Sequence, residues 1–212
     1  DARIAWNTIS IIDPLFTLPL LFAVVLAARR NRPLFARLGL LWACAYMGMG
    51  LWQRNEAVEM GRALAASRGH EPLRLEAKPS FANILVWKVV YETEQRYYVD
   101  AVRAGLAPRV FSGESVAKLD ISRDIPWLDQ GSQQARDIER FRWFSNGYIA
   151  RDPAFPNRVI DIRYSMIPNE LAPLWSIELH PEARRDEHVR YLVHRDAGDD
   201  RPALLWRMLA GS

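Results

Sequence analysis

Cysteine is almost absent. The 212 residues include one, Cys44, set in an apolar run. One thiol excludes an intrachain disulfide and a cysteine-based metal site, and it leaves the redox compartment open. Histidine is scarce too: His70, His180, His188 and His194 are the four. The six-residue step from His188 to His194 matches neither one helix face nor a neighbouring pair on a strand, so surface or loop histidines are the default over a metal cluster. The eleven glycines form no phosphate loop and no dinucleotide fingerprint. Ser112-Gly113-Glu114-Ser115 comes nearest to a serine motif, but it lacks the glycine arrangement of a nucleophile elbow and reads as a turn. Net charge is only +3. Arg151 and Arg158 stand near Asp152 and Asp161, and Arg184 and Arg185 stand beside Asp186 and Glu187. That is a solvated surface of mixed sign, not the one-sided basic face that nucleic acid requires. The opening Asp1-Ala2-Arg3 has no signal-peptide pattern, and the sequence is expected to be the C-terminal portion of a larger protein.

What is present is an uneven distribution of apolar residues. Half the chain is hydrophobic, and these residues crowd between Ile9 and Trp52, whereas most charge follows Gln53. Ile9 to Ala28 (ISIIDPLFTLPLLFAVVLAA) and Leu34 to Trp52 (LFARLGLLWACAYMGMGLW) are each close to the ~20 residues that cross a bilayer core of about 30 Å. The basic turn RRNRP joins them. A pair of buried helices in a soluble protein is the alternative, but neither run carries a polar stripe at helical spacing. Gly39, Gly48 and Gly50, with Ala43 and Ala45, suit close helix approach in lipid. The expectation is a transmembrane helical hairpin over 1–52. Arg29, Arg30, Arg32 and Arg37 flank the turn, which places it in the cytoplasm and everything after Trp52 on the far side.

Asp13 is the one charge in the first run. A carboxylate there faces a cavity, a partner or a metal; alternatively it caps the helix that starts at Pro14. The two roles are compatible.

From Gln53 to Arg68 the composition favours a connecting helix (53–71), with Ala57, Met60, Ala63 and Leu64 marking one face and Gly69 as a left-handed cap. From 72 to 212 the expectation is a soluble, mostly antiparallel α+β domain with one or two packing helices. Asn83–Tyr91 and Gln95–Val102 read as a β-hairpin across Glu92-Thr93-Glu94. Phe141–Ala150 and Val159–Met166 read as a second pair, after a short helix at Gln133–Arg140. Trp175–Leu179 and Val189–His194 are further strands, and Arg201–Ser212 is a terminal helix. Among the aromatics, Trp87, Tyr98, Trp143 and Tyr164 are candidates to line a ligand groove on one sheet face, with core packing as the commoner use of alternating strand positions.

Three stretches carry a family resemblance: AWNTISIIDPLFTLPLL, PSFANILVWKVVYETEQRYYVDAV, and FRWFSNGYIA followed by VIDIRYSMIPN. They resemble the C-terminal half of bacterial inner-membrane metal-dependent hydrolases (the LexA-binding, membrane-bound hydrolase family). IIDPLFTLPLL and WFSNGY…DIRYSM are its most specific parts. The resemblance implies a multi-span inner-membrane protein whose divalent metal is held by His and Asp motifs in an upstream half, none of which occurs here. Its partners would be the lipid bilayer and those upstream helices, and Asp13 is the position here that could approach the metal. The other expectations are a non-catalytic membrane-anchored binding or sensing domain, and a structural module that stabilises the helix bundle.

Overall fold

The computed structural model describes residues 7–194 and 201–210. Residues 1–6, which open the expected membrane segment and the first resembling stretch, lie outside the described residues, as do 195–200 and the last two positions of the expected terminal helix.

Helix α1 (Pro14–Arg30) starts on two favourable devices: Pro14 at its first position, and Asp13, whose Oδ1 accepts from Phe16 N at 3.1 Å. It ends at Asn31, whose φ of +48° lies in the left-handed region. Helix α2 (Pro33–Ser67) restarts at once and runs 35 residues, about 52 Å at 1.5 Å per residue. The two pack antiparallel, closely enough that a Cβ on Gly39 would lie 2.9 Å from the Ala23 Cβ. Of the described helices, α2 alone is long and apolar enough to cross a membrane by length and composition; α1 is 17 residues. The connecting helix expected over 53–71 is the unbroken second half of α2. It closes with Gly69 at φ +72° and the bond from His70 N to Ala65 O, the left-handed cap expected there.

An α+β body with two antiparallel four-stranded sheets follows. The first is a meander of β1 (Arg74–Pro79), β2 (Val86–Glu92), β3 (Arg96–Arg103) and β4 (Arg109–Ala117). Helices α3 (Ile121–Asp124) and α4 (Gln133–Phe144) lead to a second meander of β5 (Ile149–Arg151), β6 (Arg158–Asp161), β7 (Trp175–Glu178) and β8 (Arg190–Val193). Helix α5 (Arg201–Ala210) is the last described element.

Register assigns the two faces of the first sheet. Trp87, Val89 and Tyr91 pair with Val102, Asp100 and Tyr98, and alternation puts all six on one face. That face meets α2 through a stripe of buried residues four apart: Gln53, Ala57, Gly61 and Ala65. A Cβ on Gly61 would lie 2.7 Å from the Val89 Cγ1, so helix and sheet touch closely. Arg68 locks the helix end with two bonds to Asp100, at 2.7 and 2.8 Å. The opposite face packs Val90, Tyr97 and Val99 against Tyr148, Ala150 and Ile160 of the second unit, and Val86 and Ala101 against Met208 of α5.

Three expectations need correction. Phe141–Phe144 is not strand but the last turn of α4. Its buried positions Gln134, Asp137, Ile138 and Phe141 follow a helical period, and Ser132 caps it by accepting from Ala135 N at 3.2 Å; the aromatic content of FRWF imitated a strand. The strand expected over Val159–Met166 stops at Asp161, because Asp161 Oδ1 accepts from Arg163 N at 3.0 Å and turns the chain. Strands β1 and β4 were not expected. Both are sheet edges, and their sequences, RLEAKP and RVFSGESVA, carry the charge, proline and glycine that edges tolerate.

Candidate functional site

A cavity of about 570 Å³ opens where the foot of the helix pair meets the body. One wall is the segment leading into α1, including Ile9, Ser10, Ile11 and Ile12. Gly50 positions this segment, since it leaves no room for a Cβ against the Thr8 carbonyl and the chain crosses α2 directly on it. The loop between β1 and β2 joins it through Ala82 N, which donates to Ser10 Oγ at 3.3 Å. Asn83 organises that loop, its Oδ1 accepting from Leu85 N and Val86 N while its Nδ2 donates to Ser80 Oγ.

The other wall is charged. Lys78 and Lys88 are cross-strand neighbours on β1 and β2, and both line the cavity with Arg163. The three cations surround one short stretch. Lys78 Nζ stands 5.3 Å from the Tyr164 ring centroid, the Arg163 guanidinium also stands 5.3 Å from it, and Lys88 Nζ donates to Ser165 Oγ at 2.7 Å. Lys78 pairs with Glu76 at 2.8 Å and Arg163 with Asp161 at 2.6 Å. Burial works against the Arg163 charge, but the bonds to Asp161 together with the charges of Asp161, Tyr164 and Glu76 hold the group above its ordinary value. Lys88 is buried, and its other bond goes to the Glu170 carbonyl at 2.9 Å. Desolvation pulls its ammonium down to about 7, against the favourable charges of Asp161, Glu114 and Glu170. Apolar side chains of Met166, Leu174 and Trp175 complete the lining. The site can therefore hold a molecule with a charged end and an apolar remainder.

The residues expected from sequence fall in different places. Asp13 is buried at the foot of the pair, where Tyr46 Oη bonds both its oxygens at 3.0 and 2.9 Å in addition to the cap. Among the described residues no group of three or more His, Cys, Asp or Glu could hold a metal ion, so the residues described do not by themselves fit the divalent metal that the resemblance implies. Trp87 is fully buried beneath α2, with its Nε1 donating to Ile84 O at 2.8 Å. Tyr98 stacks on Tyr91, centroids 4.8 Å apart. Trp143 is 68% exposed on α4. Tyr164 alone of the four lines the cavity, edge-on to Trp175 at 5.2 Å. Trp87 and Tyr98 occupy the α2 side of the first sheet, away from Tyr164, and the four do not make one groove.

Three of the four histidines bond neighbouring side chains. His70 Nδ1 meets Tyr91 Oη at 2.9 Å, His194 Nε2 meets Ser176 Oγ at 2.8 Å, and His188 Nδ1 meets Asp137 Oδ2 at 2.8 Å. Burial would raise Asp137, yet hydrogen bonds from Gln133, His188 and Val189 lower it overall.

No sequence motif marks Lys78, Lys88 and Arg163 as a group. A signal was there: Lys88 interrupts the apolar run NILVW-K-VVY, and all seven residues of β2 are buried. A lysine in a strand covered on both faces is rare without a partner or a ligand.

Comparison with known proteins returns no matching family model, curated protein or solved structure.

Proposed function

We propose that this chain is a membrane-anchored binding domain, in which α1 and α2 form a transmembrane hairpin and the cavity at its foot takes an amphiphile from the bilayer. The observation that carries this reading is the cavity's position: the chain that enters the first apolar helix is itself a wall of it. Apolar exposure on the helix pair supports the membrane placement. Phe22, Leu40 and Leu41 are each 65% exposed, and burying such a band in lipid removes it from water. Twenty or so residues of α2 would span the core, and the remaining turns, packed on the first sheet, would hold the body at the membrane surface with Asn7–Ile12 at the headgroups. Ile11, 90% exposed beside the cavity, would then sit in the interface. With Arg29, Arg30 and Arg32 at the turn, the body would lie on the extracytoplasmic side of a bacterial inner membrane.

The test is photocrosslinking of the chain in nanodiscs that contain a diazirine-bearing phospholipid. The reading expects adducts on peptides covering Ile9–Ile12 and Tyr164–Met166. Adducts confined to the outward faces of α1 and α2 would remove the cavity from the account.

One observation favours a second reading, as the C-terminal half of a membrane-bound metal-dependent hydrolase: Asp13 is buried beside Ile12 at the cavity wall. In that case an upstream half would bring the metal ligands, Tyr46 would have to release Asp13, and the cavity would present the substrate. A longer chain that holds a stoichiometric divalent metal, and loses it in Asp13→Ala, is the expected result; unchanged metal content in that variant removes Asp13 from the centre.

A further inference from the structure

We infer that the cavity selects a monoanionic headgroup carried on an apolar tail, and that Lys88 is the residue that reads the charge. This rests on the cavity being an amphiphile site. Two of its three cations are already neutralised, Lys78 by Glu76 and Arg163 by Asp161. Lys88 has no ion pair among the described residues. Its ammonium is held only by neutral acceptors, the Ser165 hydroxyl and the Glu170 carbonyl. Lys88 is thus the one cation of the lining without a contact ion pair among the described residues; Asp161, Glu114 and Glu170 act on it without forming one.

A buried charge without a counterion in contact is costly, and a ligand that supplies one in contact offsets part of that cost. One charge matches one charge. A phosphate monoester would bring a second negative charge with nothing left to meet it. A zwitterionic headgroup would bring a cation to a wall that already presents Lys78, Lys88 and Arg163. A fatty carboxylate and a phosphodiester lipid both meet the requirement, and the apolar lining from Met166, Leu174 and Trp175 suits the tail of either.

The same geometry makes recognition depend on pH. Lys88, on β2, faces Glu114 on β4, Asp161 at the end of β6 and Glu170 in the following loop, with Lys78 beside it on β1. The carboxylates favour the ammonium, but burial outweighs them and brings the group to about 7. Only the ammonium attracts the anion. Above pH 7 its fraction falls about tenfold per pH unit, and the affinity for a monoanion falls in step.

The experiment titrates the full chain, in nanodiscs of phosphatidylcholine, with phosphatidylglycerol, oleate, a phosphatidylcholine analogue and inorganic phosphate. At pH 6 the inference expects phosphatidylglycerol, oleate or both to bind at least ~10-fold more tightly than the analogue, the matching charge being the source of the difference. Whichever binds identifies the headgroup as phosphodiester or carboxylate. Phosphatidylglycerol stays ionised throughout, so its advantage should shrink about tenfold per unit from pH 7 to 9 in the wild type and be absent in Lys88→Met. An anionic preference that is missing, independent of pH, or retained in Lys88→Met overturns the inference, and inorganic phosphate competing as well as phosphatidylglycerol overturns the need for a tail. If the crosslinking lipid reaches the cavity but shows no charge preference, this inference fails and the amphiphile site stands; if it never reaches the cavity, both fail.

Discussion

The two faces of the first sheet are built from the same strands and used in opposite ways. One presents Trp87, Val89 and Tyr91 to the small residues of α2, and its polar exception, Asp100, is fixed by Arg68 at the end of that helix. The other, one residue out of step on the same strand, presents Lys88 to the cavity and Glu92 to Arg74 and Lys118. The alternation of β2 thus divides the labour. Its odd-numbered positions dock α2, and its even-numbered positions include two charges, Lys88 and Glu92, that a core designed only for stability would omit.

The sharpest way to break that division is Arg163→Met. It would leave Asp161, fully buried, without its cation, and a charge stranded in this way costs about 3–5 kcal/mol. Thermal unfolding of the full chain in detergent should show the largest loss of the variants considered. Lys88→Met should move the other way. Below pH 7 folded and unfolded chains both hold the lysine proton, and the folded state bears the cost of burying it. Between about 7 and 10.5 the unfolded chain binds more protons, so wild-type stability should climb with pH, while the variant stays level and starts a few kcal/mol higher. A wild-type curve that is flat across this window would contradict the buried, depressed ammonium.

On the docking face, Gly61→Val forces a side chain into the Val89 contact and should cost about 1–3 kcal/mol. It should leave the headgroup preference unchanged, which separates anchoring from recognition. The smallest effect belongs to Tyr46→Phe, which deletes the hydroxyl that bonds Asp13. A polar contact within a helix pair of this kind is worth about 1 kcal/mol, read as a modest drop in melting temperature with the fold retained.

Much of this division could be read from the sequence. The two apolar runs, the basic turn, the Gly69 cap, the central hairpin of β2 and β3, and the terminal helix follow from length, caps and period. The edge strands β1 and β4 are not legible because an edge needs little hydrophobic signal, and the end of α4 reads as strand because Phe141, Trp143 and Phe144 carry β-like aromatic content on a helix. The site was the least legible part. Lys78 and Lys88 are ten positions apart and Arg163 is far beyond both; only the β1–β2 register and the turn after Asp161 bring them to one cavity. Burial on both faces of β2, which makes Lys88 unusual, is a tertiary fact that a single-strand pattern does not carry.

Cys44 offers the most direct test of the central claim, that the helix pair lies in lipid and thereby sets the cavity at the membrane surface. It is the chain's one cysteine and it is exposed on α2, so a spin label can be attached there without removing any other thiol. In liposomes the label should be relaxed strongly by oxygen and weakly by a water-soluble nickel chelate, the signature of hydrocarbon depth. Strong relaxation by the chelate and little by oxygen would place this face of α2 in water and contradict the account.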